Sequence, residues 1–308
     1  MFVQYLEDLA RYILDERQVV NARIAEIGCG NGHFLNKLVR DERAGNTGYG
    51  FDPSYKGPDA FLEGRLRFKR DYYGPKYADV PVDVIICRHV IEHVSDPLTL
   101  LATVRSAIEC SRHPRAFFET PTVEWILAQQ VIWDFFYEHC SYWSASSLTV
   151  AFQMAGFDVL SVKTIFGEQY MLLEATTSPL SHPKAVRSAG SIPELARLFA
   201  FREAQILSEW RDLIRGARCK GGVALWGAGA KGVTFANLID GDRKSIRCLV
   251  DLNPGKQGRF TPGSAHRIVD YRELPQYGVK TVILLNPVYR QENLRLLAVA
   301  NVNVQLIG

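Results

Sequence analysis

The segment Ile24-Ala-Glu-Ile-Gly-Cys-Gly-Asn-Gly32 decides the fold of the first half of this chain. A short apolar strand pattern runs directly into three alternate glycines and then into a helical pattern over residues 34–39. Gly28, Gly30 and Gly32 let the backbone pass close to a ligand and expose amide groups at a helix start. The segment therefore predicts a strand, a glycine turn and a helix that bind a nucleoside or an amino-acid carboxylate.

Predicted strands and helices continue to alternate along the first half of the chain. Including residues 23–27, seven strands are predicted, at 23–27, 48–52, 66–69, 82–87, 115–119, 157–162 and 170–175. Because helical patterns alternate with most of these strands, we expect right-handed crossovers and a doubly wound, Rossmann-like α/β sheet. No convincing helix separates the last two strands, so the final hairpin is expected to be antiparallel.

A second α/β unit is predicted after residue 178. Residues 176–190 are rich in Ser, Thr, Pro and Ala, which is typical of a linker, and residues 192–214 have the pattern of one long helix. Gly222-Val-Ala-Leu-Trp-Gly-Ala-Gly-Ala-Lys-Gly232 then begins another strand, glycine turn and helix, and further strands are expected at 246–251 and 281–285. The predicted division is a domain at 1–178, a linker and long helix at 179–216, and a smaller Rossmann-like domain at 217–308.

Composition restricts the functional class. Of 308 residues, 47% are apolar and 22% charged, and no apolar run is long enough to span a bilayer, so we expect no membrane partner. The acidic N-terminal segment differs from a signal peptide, which predicts a cytoplasmic protein. A net charge of +3 without a basic stripe indicates no nucleic-acid partner. The six cysteines form no Cys-x-x-Cys pair, so reduced thiols and no metal site are expected.

Three acidic residues make the functional interpretation of the first glycine turn more specific. Glu26 precedes it, Asp52 ends the second predicted strand and Asp71 follows the third, which places all three at carboxyl ends of strands, beside the ligand crevice of such a sheet. This arrangement resembles the class I S-adenosylmethionine-dependent methyltransferases. The resemblance implies that Glu26 faces the methionine end of the cofactor, that Asp52 binds the ribose hydroxyls and that Asp71 approaches the adenine.

The motif Cys87-Arg-His-Val-Ile-Glu-His-Val-Ser-Asp-Pro97 is similar to the signature that follows the fourth strand in that family. From this resemblance we assign Arg88 to the cofactor site. A dinucleotide site at the first turn is disfavoured, because the third glycine follows the second by two residues instead of three. The predicted cofactor is S-adenosylmethionine.

The densest polar and aromatic cluster is Trp133-Asp-Phe-Phe-Tyr-Glu-His-Cys-Ser-Tyr-Trp143, after the fifth predicted strand. S-adenosylmethionine brings its own electrophile, so the protein must orient an acceptor and, for a weak nucleophile, remove a proton. His139 and Tyr137 are the candidate acid or base residues, with Glu138 or His89 to orient them.

This cluster and the C-terminal half resemble the bacterial sugar C-methyltransferases, which act on nucleotide-linked keto-deoxysugars. Their Tyr-x-Glu-His-x-Ser-Tyr loop is matched from Glu138 to Tyr142, and Val250-Asp-Leu-Asn-Pro-Gly-Lys-Gln-Gly-Arg-Phe-Thr-Pro-Gly263 and Leu284-Leu-Asn-Pro287 look like signatures of their C-terminal domain. The resemblance implies a nucleotide-sugar-like acceptor, base-assisted C-methylation through an enolate, and stabilisation of that anion by His89 and Tyr142.

Two departures from that family leave alternatives open. Its cysteine-rich zinc domain is not expected, because Gly28 comes only 27 residues after Met1. Its catalytic tyrosine falls on Phe136, which cannot accept a proton. Either Tyr137 replaces that tyrosine, or His139 is the base, or the acceptor is a heteroatom. The alternatives are therefore an O- or N-methyltransferase of a glycan or natural product, or an S-adenosylmethionine-binding protein without turnover. The sequence does not determine the oligomeric state.

The second glycine turn matches the dinucleotide fingerprint. Gly227, Gly229 and Gly232 have the required spacing, and Asp251 follows Gly227 by 24 residues at the end of the next predicted strand. Lys231 suits the diphosphate of a nucleotide sugar, which makes this turn the predicted substrate-binding site. NAD binding is the rival hypothesis for the turn, and a purely structural role for its glycines is a third.

Overall fold

The structure is a computed structural model and describes residues 2–77, 80–177 and 190–308. They form two compact units. The N-terminal unit comprises Phe2–Trp125 and Glu138–Pro193, and the C-terminal unit comprises Ile126–Tyr137 and Glu194–Gly308. Most of the predicted linker lies outside the described residues. The domain boundaries stated above stay a prediction.

The N-terminal unit alternates strands with helices. In chain order its elements are α1 (Phe2–Arg11), β1 (Arg23–Ile27), α2 (His33–Arg40), β2 (Thr47–Phe51), β3 (Ala60–Phe61), β4 (Leu66–Lys69), β5 (Val84–Arg88), α3 (Pro97–Ile108), β6 (Arg115–Pro121), α4 (Val123–Ala128), α5 (Ala145–Met154), β7 (Asp158–Ile165) and β8 (Tyr170–Thr176). α4 begins in this unit and ends in the segment grouped with the other one.

One sheet organises this unit, with strand order β3-β4-β2-β1-β5-β6-β8-β7. Strands β4, β2, β1, β5 and β6 are parallel, and β8 and β7 form the antiparallel end. The predicted doubly wound sheet with an antiparallel final hairpin is confirmed. The predicted count of seven strands is one short, because β3 has two exposed residues, too few to show an alternating pattern.

Both faces of this sheet are covered by apolar side chains. Ala25 and Ile27 belong to the cluster on one face, whereas Ile24 belongs to the cluster on the other. Successive side chains of a strand point to opposite faces, so β1 is central and buried on both sides. The carboxyl end of β1, covered on both faces, therefore positions the glycine turn at the centre of the sheet.

Helix α5 was not predicted from the sequence. Its apolar residues Leu148, Ala151 and Phe152 have helical spacing, but the hydrophobic pattern is weak. The clearer signal is Ser144, whose side chain accepts a hydrogen bond from the backbone N–H of Ser147 in a capping box. This cap fixes the point where the loop around residue 139 ends.

The C-terminal unit contains α6 (Ile192–Arg218) from Glu194 onward, together with β9 (Gly222–Trp226), α7 (Ala230–Asp240), β10 (Cys248–Val250), β11 (Ile268–Val269), β12 (Val279–Leu284), α8 (Arg290–Val299) and β13 (Gln305–Ile307). Its sheet is parallel throughout, in the order β11-β10-β9-β12-β13. The predicted smaller Rossmann-like unit is confirmed, whereas the short strands β11 and β13 were not foreseen. Among the described residues no helix has the length and apolarity to cross a bilayer.

Candidate functional site

The first glycine turn requires glycine for two separate reasons. Gly28, Gly30 and Gly32 have φ of 67°, 52° and 73°, in the left-handed region that other residues rarely adopt. A Cβ on Gly28 would lie 2.2 Å from Val90, and one on Gly32 would lie 2.4 Å from the Phe68 ring, whereas nothing lies within 4 Å of one on Gly30. The turn is therefore packed at both ends and open in the middle, where a ligand can approach the backbone.

Asp52 lies just beyond β2 and connects that strand end to the glycine turn. One carboxylate oxygen accepts a hydrogen bond from Gly30 N at 2.8 Å. The other accepts from Ser54 N and Ser54 Oγ at 2.7 and 2.6 Å. These bonds fix the carboxylate beside the open middle of the turn, and its predicted contact with ribose stays a prediction.

Glu26 is buried at the end of β1. Only 2% of the residue is exposed, and its carboxylate accepts a hydrogen bond from Leu35 N in the first turn of α2 at 3.1 Å. Burial raises the pKa of Glu26 to about 8, in spite of the opposing charge of Arg88. The carboxyl group is therefore mostly protonated at neutral pH until a cation approaches it.

Asp71 follows β4 and lies among aromatic residues. Its carboxylate accepts a hydrogen bond from Tyr77 Oη at 2.7 Å and forms an ion pair with Lys76. These two groups lower the pKa of Asp71 below its ordinary value. The Tyr77 ring lies 4.7 Å from the buried Phe51 ring, and the adenine contact of Asp71 stays a prediction.

Arg88 and His89, at the end of β5, share one partner. One carboxylate oxygen of Glu119 accepts a hydrogen bond from Arg88 Nε at 2.6 Å, and the other lies 2.7 Å from His89 Nε2. Burial opposes the charge on His89, but the hydrogen bonds to Glu119 and Glu92 and the charges of these two acids together outweigh burial and raise the pKa of His89 to about 9. The Arg88 guanidinium also lies 4.5 Å from the centroid of the Phe34 ring. Glu119 was missed from the sequence, although an acid at the carboxyl end of a central strand is a usable signal.

His139 and Tyr142 come together with His93, a residue that sequence reasoning did not select. The rings of His139 and His93 are 4.8 Å apart and nearly perpendicular, and the Tyr142 ring lies 5.5 Å from His139. Burial lowers the pKa of His139, which favours a neutral imidazole. The signal for His93 was its place beside Glu92 in the motif after β5.

Backbone contacts join the loop of His139 to the turn that follows β5. Ser141 N donates to the carbonyl oxygen of Glu92 at 3.2 Å, and His93 Nδ1 lies 3.0 Å from the carbonyl oxygen of Glu138. Glu138 contributes this carbonyl, while the residue itself is exposed. Tyr137 is fully exposed and ends the segment that groups with the C-terminal unit. The N-terminal unit therefore gathers His93, His139 and Tyr142, whereas the side chain of Tyr137 is fully exposed.

The second glycine turn combines close packing with a charged partner. A Cβ on Gly232 would lie 1.8 Å from the carbonyl oxygen of Gly227, so glycine is needed for α7 to approach β9. A Cβ on Gly229 would have nothing within 4 Å, so there is open space at this position. Asp251 accepts from Ala228 N at 3.1 Å and from Lys256 Nζ at 2.9 Å.

Lys231 contacts a buried acid of its own unit. Its Nζ lies 2.5 Å from the carboxylate of Asp134, which belongs to the segment Ile126–Tyr137. Trp133, next to Asp134, packs edge-on against Trp210 of α6 and Phe235 of α7. These contacts attach the segment to the C-terminal unit, and the predicted phosphate-binding role of Lys231 stays a prediction.

Comparison with known proteins agrees with this arrangement. Residues 1–162 match the family model described as a methyltransferase domain, and residues 191–306 match the C-methyltransferase C-terminal domain. The C-methyltransferase NovU of Streptomyces niveus is 29% identical over 160 residues, which are 48% of this chain and 38% of that protein. The tRNA U34 carboxymethyltransferase of Campylobacter concisus is 30% identical over 95 residues, covering 28% of this chain and 31% of that protein. The chain thus spans about a third of each of these curated relatives.

Among solved structures, the magnesium protoporphyrin IX methyltransferase of Synechocystis is similar at a TM-score of 0.43 and 16% identity, covering 57% of this chain and 83% of that one. This similarity is too low to carry an inference. The match to the methyltransferase domain covers more than half of the 308 residues and includes the glycine turn, Asp52 and the turn after β5. The chain accordingly belongs to the S-adenosylmethionine-dependent methyltransferase family, and its residues 191–306 match the C-methyltransferase C-terminal domain.

Proposed function

We propose that this protein transfers a methyl group from S-adenosylmethionine to a carbon atom of a nucleotide-linked keto sugar. The observation that carries the proposal is the cluster of His93, His139 and Tyr142 in a chain that also has the C-methyltransferase C-terminal domain. A carbon atom next to a ketone becomes nucleophilic when its own proton has been removed, and imidazole and phenol groups are suited to that step.

The cofactor is proposed to lie along the carboxyl ends of β1, β2 and β4. Gly28, Gly30 and Gly32 would approach it through the backbone, Glu26 would bind its methionine ammonium group, and Asp52 would bind its ribose. Asp71 is proposed to lie near the adenine. Arg88 would contribute indirectly, because its guanidinium is held by Glu119.

In the proposed reaction a base removes the proton α to the ketone of the acceptor. The resulting enolate carbon forms a bond to the methyl carbon as the C–S bond breaks and its electron pair returns to sulfur. His139 is the preferred base, since it lies half-buried beside His93 and Tyr142, and these groups, with His89, would stabilise the enolate oxygen. Tyr137 and Glu138 remain candidates for positioning the acceptor.

The second glycine turn is proposed to bind the nucleotide part of the acceptor. Gly227 and Gly229 expose backbone there, while Gly232 allows close packing. Lys231 and Asp251 are the charged groups of this proposed site. Titration with NADH and with thymidine or uridine diphosphate distinguishes the hypotheses, because binding of NADH alone would contradict a nucleotide-sugar site.

The activity is tested with methyl-labelled S-adenosylmethionine and a panel of nucleotide-linked keto sugars, followed by mass spectrometry. We expect a product heavier by one methyl group and, without cofactor, exchange of the acceptor α-proton for deuterium in D₂O. His139→Ala should abolish both while S-adenosylmethionine still binds in calorimetry. His113→Ala, at an exposed histidine, is the matched control and should retain both.

A product methylated on oxygen or nitrogen would favour the alternative O- or N-methyltransferase function. Phe136, at the position of the related family's tyrosine, favours a second alternative, an S-adenosylmethionine-binding protein without turnover. Cofactor binding without any methylated product or deuterium exchange across the panel would support that alternative. Unchanged turnover in His139→Ala would exclude His139 as the base.

A further inference from the structure

Two buried acids face the imidazole ring of His89 from different elements. Glu119 lies on β6, and Glu92 lies in the short helical turn after β5. His89 Nε2 lies 2.7 Å from one oxygen of Glu119, and His89 Nδ1 lies 3.5 Å from one oxygen of Glu92. We propose that Glu119 is a positioning residue which, together with Glu92, holds His89 as an imidazolium, a fixed positive charge beside the acceptor site.

The protonation of the ring follows from its partners. An ionised carboxylate only accepts hydrogen bonds, whereas a neutral imidazole has a single N–H donor. Although burial opposes its charge, the contacts with His89 and Arg88 lower the pKa of Glu119 to about 2, so this acid is ionised. With an acid beside each ring nitrogen, the ring donates to both acids only when both nitrogens carry a proton. The pKa of about 9 for His89 agrees with this geometry.

The contacts of His89 also hold the ring in place. His89 N donates to the carbonyl oxygen of Glu119 at 2.8 Å, and φ of His89 is 54°, a left-handed conformation that surrounding contacts must maintain. The Tyr170 ring on β8 lies 4.5 Å from the His89 ring, nearly edge-on. Glu92 is fixed in turn, because its other oxygen accepts from Thr120 Oγ1 at 2.9 Å. Glu119 therefore restrains both the backbone and the ring of His89.

The charge of His89 reaches the proposed acceptor site. The His89 side chain is 31% exposed, so part of the ring is open although both acids are buried. Glu92 lies on the other side next to the candidate base, with an oxygen within 4.8 Å of ring nitrogens of His93 and His139. Burial is the main cause that lowers the pKa of His139; the charges of His93 and His89 add to it, and that of Glu92 opposes it. A positive His89 thus helps to keep the proposed base neutral.

This charge gives His89 a role that rests on the proposed function. Arg88 and His89 carry two positive charges, which balance the two negative charges of Glu119 and Glu92. A neutral His89 would leave a net negative charge, which repels the enolate, whereas the imidazolium stabilises it. A ring that is already protonated cannot remove the α-proton, so His139 stays the base. The titratable and charged groups around the ring include Glu92, His93, Arg88, Glu119, His139, Tyr170 and, beyond Glu119, Tyr5 of α1.

The test is a nuclear magnetic resonance titration of the full chain carrying isotope-labelled histidine, in which His89→Gln identifies one signal among seven histidines. Both ring nitrogens of His89 should be protonated at pH 7.5, with a midpoint near 9. Glu119→Gln should lower this midpoint by at least about one pH unit, a 10-fold change in acid dissociation constant. Glu92→Gln should lower it less, because its contact is longer. Glu174→Gln, at a buried acid paired with Arg17, is the control and should leave the midpoint unchanged.

Binding of S-adenosylmethionine, measured in the same samples, shows that each variant is folded. A His89 midpoint below pH 7 in the unmodified protein overturns the proposal, whether or not the variants fold. Equal midpoints in Glu119→Gln and Glu174→Gln overturn it as well.

The catalytic consequence is measured with a keto sugar that the protein methylates. Turnover of Glu119→Gln, relative to that of the unmodified protein, should fall as pH rises from 6.5 to 8.5, because the variant ring loses its proton in this interval. Parallel pH profiles would overturn the catalytic role of the charge. Absence of turnover across the sugar panel contradicts the proposed function, whereas the titration still decides the protonation of His89.

Discussion

Binding of S-adenosylmethionine should release close to one proton from Glu26 at pH 6.5. The pKa of about 8 means that the buried carboxyl group is about 97% protonated at this pH before the cofactor arrives. The proposed site brings the positively charged methionine ammonium group to the carboxylate. An ion pair then forms at a position where burial had kept the acid neutral.

The number of protons released follows from the Coulomb energy between Glu26 and the ammonium group. Two unit charges about 4 Å apart attract by about 4 kcal/mol at an effective dielectric constant of about 20, which also describes buried sites, and this attraction would lower the pKa of Glu26 to about 5. The acid is then about 97% ionised at pH 6.5. The cofactor amino group has an ordinary pKa near 8 and takes up less than about 0.1 proton, so the net release is about 0.9 proton.

Calorimetry in phosphate and in imidazole buffers at pH 6.5 measures this release, because the two buffers take up the proton with different enthalpies. The Glu26→Gln variant should bind the cofactor and release almost no proton. Glu174→Gln is the matched control, since Glu174 is also a buried carboxyl group of the same sheet, paired with Arg17. It should release as much as the unmodified protein does.

A cofactor-bound protein that releases no proton would refute the contact between Glu26 and the ammonium group, and so would equal release in Glu26→Gln. Stability provides an independent check on the pKa. Because folding raises the pKa of Glu26 from 4.5 to about 8, the contribution of this group to stability should fall as pH rises through this interval and level off above it. Glu26→Gln should remove most of that fall, which chemical denaturation at pH 5, 7 and 9 would reveal.

Three further substitutions test other parts of the structure. Asp52→Ala removes the acceptor for Gly30 N and the proposed ribose contact, so calorimetry should show at least about 10-fold weaker cofactor binding; equal affinity would contradict the ribose assignment. Lys231→Met leaves buried Asp134 without its cation and should lower the free energy of unfolding by about 3 kcal/mol in urea titrations, more than Lys231→Arg does. Gly232→Ala places a methyl group against a carbonyl oxygen, and the melting temperature should drop well below that of Gly229→Ala, where space is open.

The sequence alone determined the fold class and the cofactor, S-adenosylmethionine. A central strand followed by Gly28, Gly30 and Gly32 has few structural solutions, because the backbone conformation and the close packing both exclude larger side chains. The acids at the carboxyl ends of β1, β2 and β4 were foreseen for a similar reason: carboxyl ends of parallel strands meet at one edge of the sheet. Local pattern and chain order suffice for such features.

Only the tertiary structure decided which polar groups of the acceptor region meet. His93 and His139 are 46 residues apart (139 minus 93), and no periodicity links the turn after β5 to the loop before α5. Glu119 likewise acquires its place between Arg88 and His89 because β5 and β6 pair in register. Tyr137, adjacent to the cluster in sequence, lies fully exposed. Contacts of this kind depend on where separate loops are anchored, and residue spacing along the chain does not carry that information.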